Sequence, residues 1–360
     1  MKELSAWRLA FVYAGCFLGA GYISGQELWQ FFGAFGMGGV WGLALCTLLQ
    51  GIFCVILLSL VRRGNIREIE HVTVRRERRR LRAAVGGAQL VLLLGVTVIM
   101  SAGVGALAGQ MLGRGAVVSS LLFCMITAAV ALWGMRGLIS VFSYIVPLLI
   151  VVTFGVSVWA VMHFGVDTLR LPQVTHGAGS PLLTHWAVAA VSFVSYNLFG
   201  SIAILVPIAR RVTDERVARR GAVIGALILL SVAGTILISL YLAPQTVTAE
   251  LPMLALAQLI HPLAGRLFAL LLLIAMFGTA LSCTVAVREY LTQKLTVCER
   301  HPVAVTFAVA ALAFVGGLFG FGDLIGWIYP IFGYLGFAAL CSAAAHERHV
   351  RRLEKNKEKP

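Results

Sequence analysis

The sequence predicts an all-α polytopic membrane protein with ten transmembrane helices in two halves of five. Three observations carry that prediction. Of 360 residues, 59% are hydrophobic and 12% charged, with a mean hydropathy of +0.91; a water-soluble domain needs about 25% charged residues to wet its surface. Charges are missing over long stretches, among them 83–113, 115–135, 137–166, 171–209 and 221–249, and a helix of roughly 20 apolar residues crosses the hydrocarbon core. The basic residues gather between alternate stretches, as they do in the cytoplasmic loops of membrane proteins.

The charge gaps place the helices in order. The first covers 8–32, and Gly33 to Gly39 divides it from the second at 39–61. The third (84–111) ends before Arg114, the fourth (116–134) before Arg136, and the fifth (138–163) before Asp167. The sixth is read at 184–208, ahead of Arg210, and the seventh at 220–243, after the arginines that end at Arg220. The eighth (265–290) contains the gap 267–287, the ninth (303–319) is short, and the tenth (324–344) ends before Glu347. The chain thus divides into a first five-helix repeat, 1–163, a second repeat, 184–345, and a basic tail, 346–360. Five spans per repeat is odd, so the second must be inverted relative to the first. The segment Pro252–Pro262 is apolar but too short to span, and is expected to lie over the outer face as a helical loop.

With the N-terminus inside, 26 of the 29 lysines and arginines fall on the inner side and only Arg114, Arg170 and Arg266 outside. Both termini are therefore expected in the cytoplasm. The net charge of +14 does not point to nucleic acid, because the basic residues alternate with spans instead of forming one domain. The stretch Arg62–Arg82, with nine arginines, reads either as a solvated connector or as an amphipathic helix on anionic lipid. Seven cysteines without a CxxC, most of them in apolar segments, imply neither a disulfide framework nor a metal site. The eight histidines lie in loops or near helix ends, and no carboxylate pair sits within a span, so no enzyme is expected and no cofactor is called for. There is no GxxxxGK[ST] for ATP-driven work.

Two helices carry polar interruptions, and they open the two halves. The first reads Gly15-Cys16-Phe17-Leu18-Gly19-Ala20-Gly21-Tyr22-Ile23-Ser24-Gly25-Gln26-Glu27; four glycines in eleven residues make a poor continuous helix. The sixth reads Ser192-Phe193-Val194-Ser195-Tyr196-Asn197-Leu198-Phe199-Gly200-Ser201, with Pro207 later. Backbone freed at membrane depth is tolerated only where it lines a cavity or binds something, and paired interrupted helices mark a transport site at a repeat interface. The competing reading of such glycines is close helix packing, which suits Gly103, Gly105 and Gly109 of the third helix. Glu27 is the one acid well inside a span. Ionised in hydrocarbon it costs about 3 kcal/mol, so it is expected to face the bundle with Gln30 one turn on. There it either carries a proton or holds a substrate amine, or it serves as a neutral acid that only hydrogen-bonds unwound backbone.

This arrangement resembles the five-plus-five inverted-repeat transporters of the LeuT type, the amino acid–polyamine–organocation superfamily. The string Gly19-Ala20-Gly21-Tyr22-Ile23-Ser24-Gly25-Gln26-Glu27, followed by Gln30-Phe31-Phe32, is most similar to the YkvI-like bacterial membrane proteins. The resemblance implies a multi-pass protein of the bacterial inner membrane with helices 1 and 6 interrupted. It implies a secondary active transporter of an amino acid or amine, coupled to a proton or sodium ion. It assigns Gly19, Ala20, Gly21, Tyr22 and Ser24 to the substrate site, with Ser195, Tyr196 and Asn197 completing it from the sixth helix. Glu27 and Gln30 join Thr279, Ser282 and Thr284 of the eighth helix as the expected coupling set, although Cys283 separates the last two hydroxyls where sodium-coupled members have them adjacent. In that scaffold a half-helix N-terminus suits a carboxylate and unwound carbonyls suit a cation. The aromatic residues Trp327, Tyr329 and Tyr334 are candidates to shape the cavity. The alternative function is a solute sensor with the same fold, which would bind without accumulating.

Overall fold

The structure, a computed structural model, describes residues 5–64, 66, 72, 79–133, 138–165, 179–209, 212 and 214–357. Most of the Arg62–Arg82 stretch lies outside the described residues, as does most of the connector between the fifth and sixth spans.

The first span is built in three pieces: α1 (Ala6–Phe17), α2 (Ala20–Ile23) and α3 (Gln26–Phe31). Ser5 starts α1 by accepting the Arg8 N–H at 3.4 Å. The helix stops where Leu18 (ψ 57°) and Gly19 (ψ 174°) leave the helical region. A second bend follows at Gly25, whose φ of +82° is left-handed. A 3₁₀ turn, Gly33–Phe35, then leads into α4 (Met37–Arg63). The rest of the first half is α5 (Arg79–Leu112), α6 (Ala116–Trp133) and α7 (Leu138–Phe164).

The second half comprises α8 (Trp186–Ala209), α9 (Glu215–Leu242), α10 (Pro252–Ile260), α11 (Pro262–Lys294), α12 (Thr296–Arg300), α13 (Pro302–Gly316) and α14 (Phe321–Lys357). Asp214 caps α9 by accepting the Arg216 N–H at 2.8 Å. His261 caps α11 through Leu263 N–H, and Pro262 takes the first position, where no N–H is needed. Among the described residues, seven helices (α4, α5, α7, α9, α11, α13 and α14) are long and apolar enough to cross a membrane, and the apolar helices α1, α6 and α8 occupy the remaining expected positions. The expected outer loop helix is α10.

Two departures from the sequence reading matter. The sixth span is not interrupted: α8 is helical throughout Trp186–Ala209. Three of its polar residues bond back to their own helix, with Ser195 Oγ donating to Val191 O at 2.6 Å, Asn197 Nδ2 to Phe193 O at 3.1 Å and Ser201 Oγ to Asn197 O at 2.7 Å. Hydroxyls bonded back to the i−4 carbonyl need no cavity. The tenth helix is also longer than the 324–344 read from the sequence, because α14 starts at Phe321 and continues through the basic stretch to Lys357.

The spans sort into two packed groups. In one, α1, α4, α8 and α9 lie against each other; in the other, α5 packs with α6, α11 and α13. α1 approaches α9 so closely that a Cβ on Gly221 would stand 2.6 Å from Leu9. α14 runs along α8 and α4, and also touches α5.

Candidate solute and ion site

The break in the first span brings α2 and α3 against α8, α9, α11 and α14. Glu27 lies on the first turn of α3 and is buried, 4% exposed. Its side chain folds back toward the break: a Cβ on Gly21 would meet Glu27 Oε2 at 2.8 Å. Tyr196 of α8 donates its hydroxyl to Glu27 Oε1, and the Asn197 amide lies beside the same carboxyl. The Tyr196 ring stacks on Tyr329 of α14 at 4.5 Å and 11°. Phe31 and Phe193 complete an aromatic wall, 5.7 Å from Tyr196 in each case. Among the described residues no lysine or arginine forms an ion pair with Glu27. Its partner is a neutral phenol.

The other first-span residues take defined parts. Gly19 is the extended residue at the break, and Ala20 and Gly21 are buried. Tyr22 is committed elsewhere: its hydroxyl donates to Leu229 O on α9 at 2.8 Å. Ser24 Oγ donates to Gly21 O at 2.9 Å and accepts from Gln26 N–H at 3.4 Å, which holds the bend at Gly25. Because α2 is a single turn, the dipole expected of a long half-helix is small here.

The expected hydroxyl set on the eighth span does not assemble. Thr279 bonds back to Ala275 O at 3.0 Å, Thr284 is buried, and Ser282 is exposed. Two residues apart on a helix means nearly opposite faces, so Ser282 and Thr284 cannot converge on one ion. Trp327 and Tyr334 are about half exposed, and the Tyr334 hydroxyl donates to Leu182 O at 2.8 Å, whereas Tyr329 is buried against Tyr196.

Gln30 is 8% exposed and reaches across to α14, donating to Gly322 O at 2.8 Å. It belongs to a closure that the sequence reading did not contain. Glu250 accepts the Gly322 N–H at 2.9 Å, Met253 N–H on α10 donates to Ser24 O at 2.9 Å, and Ser180 Oγ donates to Gly326 O at 2.5 Å. One of these bonds had a signal in the sequence. Pro330 has no N–H for the carbonyl four residues earlier, so Gly326 O is open to Ser180. The end of the bundle that carries α10 is therefore sealed around the first span. Gln26 Oε1 and Gln30 Oε1 are buried there without a hydrogen-bond partner.

Comparison with known proteins agrees with this architecture. No family model matches the chain. The uncharacterized membrane protein YkvI of Bacillus subtilis (strain 168) is 29% identical over 354 residues, which is 96% of this chain and 98% of YkvI. MhsT, solved in complex with L-phenylalanine, superposes with a TM-score of 0.63 at 15% identity, covering 97% of this chain and 93% of that one. A Na⁺-coupled sialic acid symporter, solved substrate-bound and outward-open, superposes with a TM-score of 0.56 at 13% identity, covering 94% and 78%. At these identities the two structures establish the fold.

Proposed function

We propose that this chain, a YkvI-like membrane protein of the LeuT fold, is a proton-coupled secondary transporter of a small organic solute, an amino acid or amine. The observation that carries the reading is the placement of Glu27. A carboxyl group is buried where the broken first span crosses α8, bonded to Tyr196 and to no basic side chain among the described residues. Burying an ionised carboxylate without a cation is expensive, so the group is suited to pick up and release a proton, or to take a substrate ammonium as its counter-charge. The dispersal of Thr279, Ser282 and Thr284 favours a proton over sodium. The shared fold with a Na⁺-coupled sialic acid symporter supports transport over sensing. In this reading both termini face the cytoplasm of a bacterial inner membrane, the basic loops meet anionic lipid, and the sealed end carrying α10 faces outward.

Uptake into proteoliposomes tests the proposal. Purified protein should accumulate a labelled amino acid or amine when a pH gradient is imposed, and a sodium gradient should add nothing. Glu27→Gln keeps the shape but cannot titrate, and should abolish gradient-driven accumulation. Normal accumulation by Glu27→Gln with an unchanged pH dependence would refute the coupling role. Saturable binding by the wild type without accumulation under any gradient would make it a sensor.

A further inference from the structure

Three tyrosines stand around Glu27, and their hydroxyls have different fates. Tyr22 donates to Leu229 O and Tyr196 to the carboxyl itself, whereas the Tyr329 hydroxyl has no hydrogen-bond partner among the described residues. Tyr329 is nevertheless 5% exposed, and its ring lies flat on that of Tyr196. It contributes a surface there, not a hydrogen bond.

The sequence of α14 sets that surface apart. Gly322, Gly326, Tyr329, Gly333 and Gly336 are spaced four, three, four and three residues apart, which puts them on one helical face. Four of the five have no side chain, and the neighbouring helices use the room. A Cβ on Gly322 would stand 2.7 Å from Gln26 Nε2 and one on Gly326 3.1 Å from Gln30 Oε1, both on α3; one on Gly336 would stand 2.6 Å from Ser195 O on α8. The glycines let α14 close on the first span near its start and on α8 further along. Tyr329 is the one knob between them. Phe31 and Phe193 meet the Tyr196 ring at 43° and 78°, so of these three rings only Tyr329, at 11°, lies parallel to it. In a close-packed interior a ring so enclosed cannot turn without displacing its neighbours. The residue after Tyr329 is Pro330, where α14 lacks a helical hydrogen bond. Tyr329 therefore belongs to the outer part of α14, whose start is gripped by Gln30 and Glu250 through Gly322.

We propose that Tyr329 is a positioning residue for Glu27: its ring holds the Tyr196 phenol on the carboxyl while the outer part of α14 stays seated on the first span. This role rests on the reading of Glu27 as the group that carries a proton or a substrate ammonium. Lifting the start of α14 from α3 withdraws the ring, frees the phenol and takes a hydrogen-bond donor from the carboxyl. The sealed end and the buried acid are thereby linked through the seven residues from Gly322 to Tyr329, about 10 Å of helix.

Infrared difference spectroscopy on the purified full chain tests this without any need for transport. The carboxyl or carboxylate stretch of Glu27 is read as the band that Glu27→Gln removes. Tyr329→Leu should shift that band as far as Tyr196→Phe does, because both take the phenol from the carboxyl. Tyr329→Phe keeps the ring and should leave the band in place. Added to Tyr196→Phe, Tyr329→Leu should cause no further shift, since it acts through that phenol. Gly322→Leu, which wedges the start of α14 off Gln26, should shift the band in the same direction as Tyr329→Leu. If Tyr329→Leu does not fold, Tyr329→Met, which fills the space without a flat face, replaces it. The positioning role is overturned if Tyr329→Leu leaves the band unmoved, if Tyr329→Phe shifts it as far as Tyr329→Leu, or if the double variant shifts it further than Tyr196→Phe alone. An unmoved band in folded Gly322→Leu overturns the link to the sealed end. A wild type that accumulates no solute in proteoliposomes would instead refute the transport reading, and these spectra would still decide the part played by Tyr329.

Discussion

Glu27, Tyr196 and Gly21 meet at one point, and each has a separate test. Tyr196→Phe removes the phenol that bonds the carboxyl but keeps the ring on Tyr329. A hydrogen bond to a charged group is worth about 1.5–3 kcal/mol, so uptake should fall about ten- to a hundredfold and its pH profile should move, while expression and thermal stability stay close to wild type. Gly21→Leu should abolish solute binding and leave folded protein in the membrane, because even its first carbon would displace Glu27 Oε2. A thermal-shift assay with and without solute checks this; wild-type binding by the variant would mean that the glycine serves packing only. Glu27 was legible in the sequence as the lone acid in a span, and Tyr196 as a polar aromatic at the same depth. That the two bond to each other was not legible, since no spacing rule links residues 169 positions apart. Tyr22 shows the reverse limit. Its type suits a binding site, but its hydroxyl is taken by Leu229 O.

Among the elements, the first span was the most readable, because glycine density reports directly on helix breaking. Its second bend needs Gly25, at φ +82°, where an added Cβ would also stand 3.0 Å from Met253 and 3.1 Å from Leu240. Gly25→Ala should therefore lower stability by about 2 kcal/mol, seen as a lower Tm in detergent; an unchanged Tm would show that the bend can relax. The sixth span misled for a physical reason. Serine and asparagine at mid-membrane depth look like exposed polarity in one dimension, yet in a helix they can bond to the preceding turn, as Ser195, Asn197 and Ser201 do. The eighth span misled through geometry, since residues close in sequence, Ser282 and Thr284, face opposite ways. Long spans such as α4, expected at 39–61 and found at Met37–Arg63, were legible almost to the residue, because a charge-free stretch between basic flanks leaves few alternatives.

For the whole molecule, the proposed orientation rests on the distribution of basic residues, and surface labelling in intact cells checks it. Thr248→Cys, on the exposed approach to α10, should react with a membrane-impermeant maleimide, and Glu299→Cys, exposed on α12, should not; the opposite pattern would invert the topology. In the proposed transport cycle, the two packed groups, one holding α1, α4, α8 and α9 and the other α5, α6, α11 and α13, would be the bodies that move against each other. α14 belongs to neither group alone. At 37 residues it is about 55 Å long. Near one end Gly322 takes Gln30, and near the other Glu347 accepts from Ser59 of α4 at 3.2 Å and pairs with Arg351 at 2.9 Å. Between these ends stands Pro330, where the helix has already given up one rung of its ladder and has lent the open carbonyl of Gly326 to Ser180. The last helix thus has a joint at Pro330, where bending costs no helical hydrogen bond; any bend there would be felt at Ser59 of the first repeat through Glu347 and at the segment leading into the sixth span through Ser180.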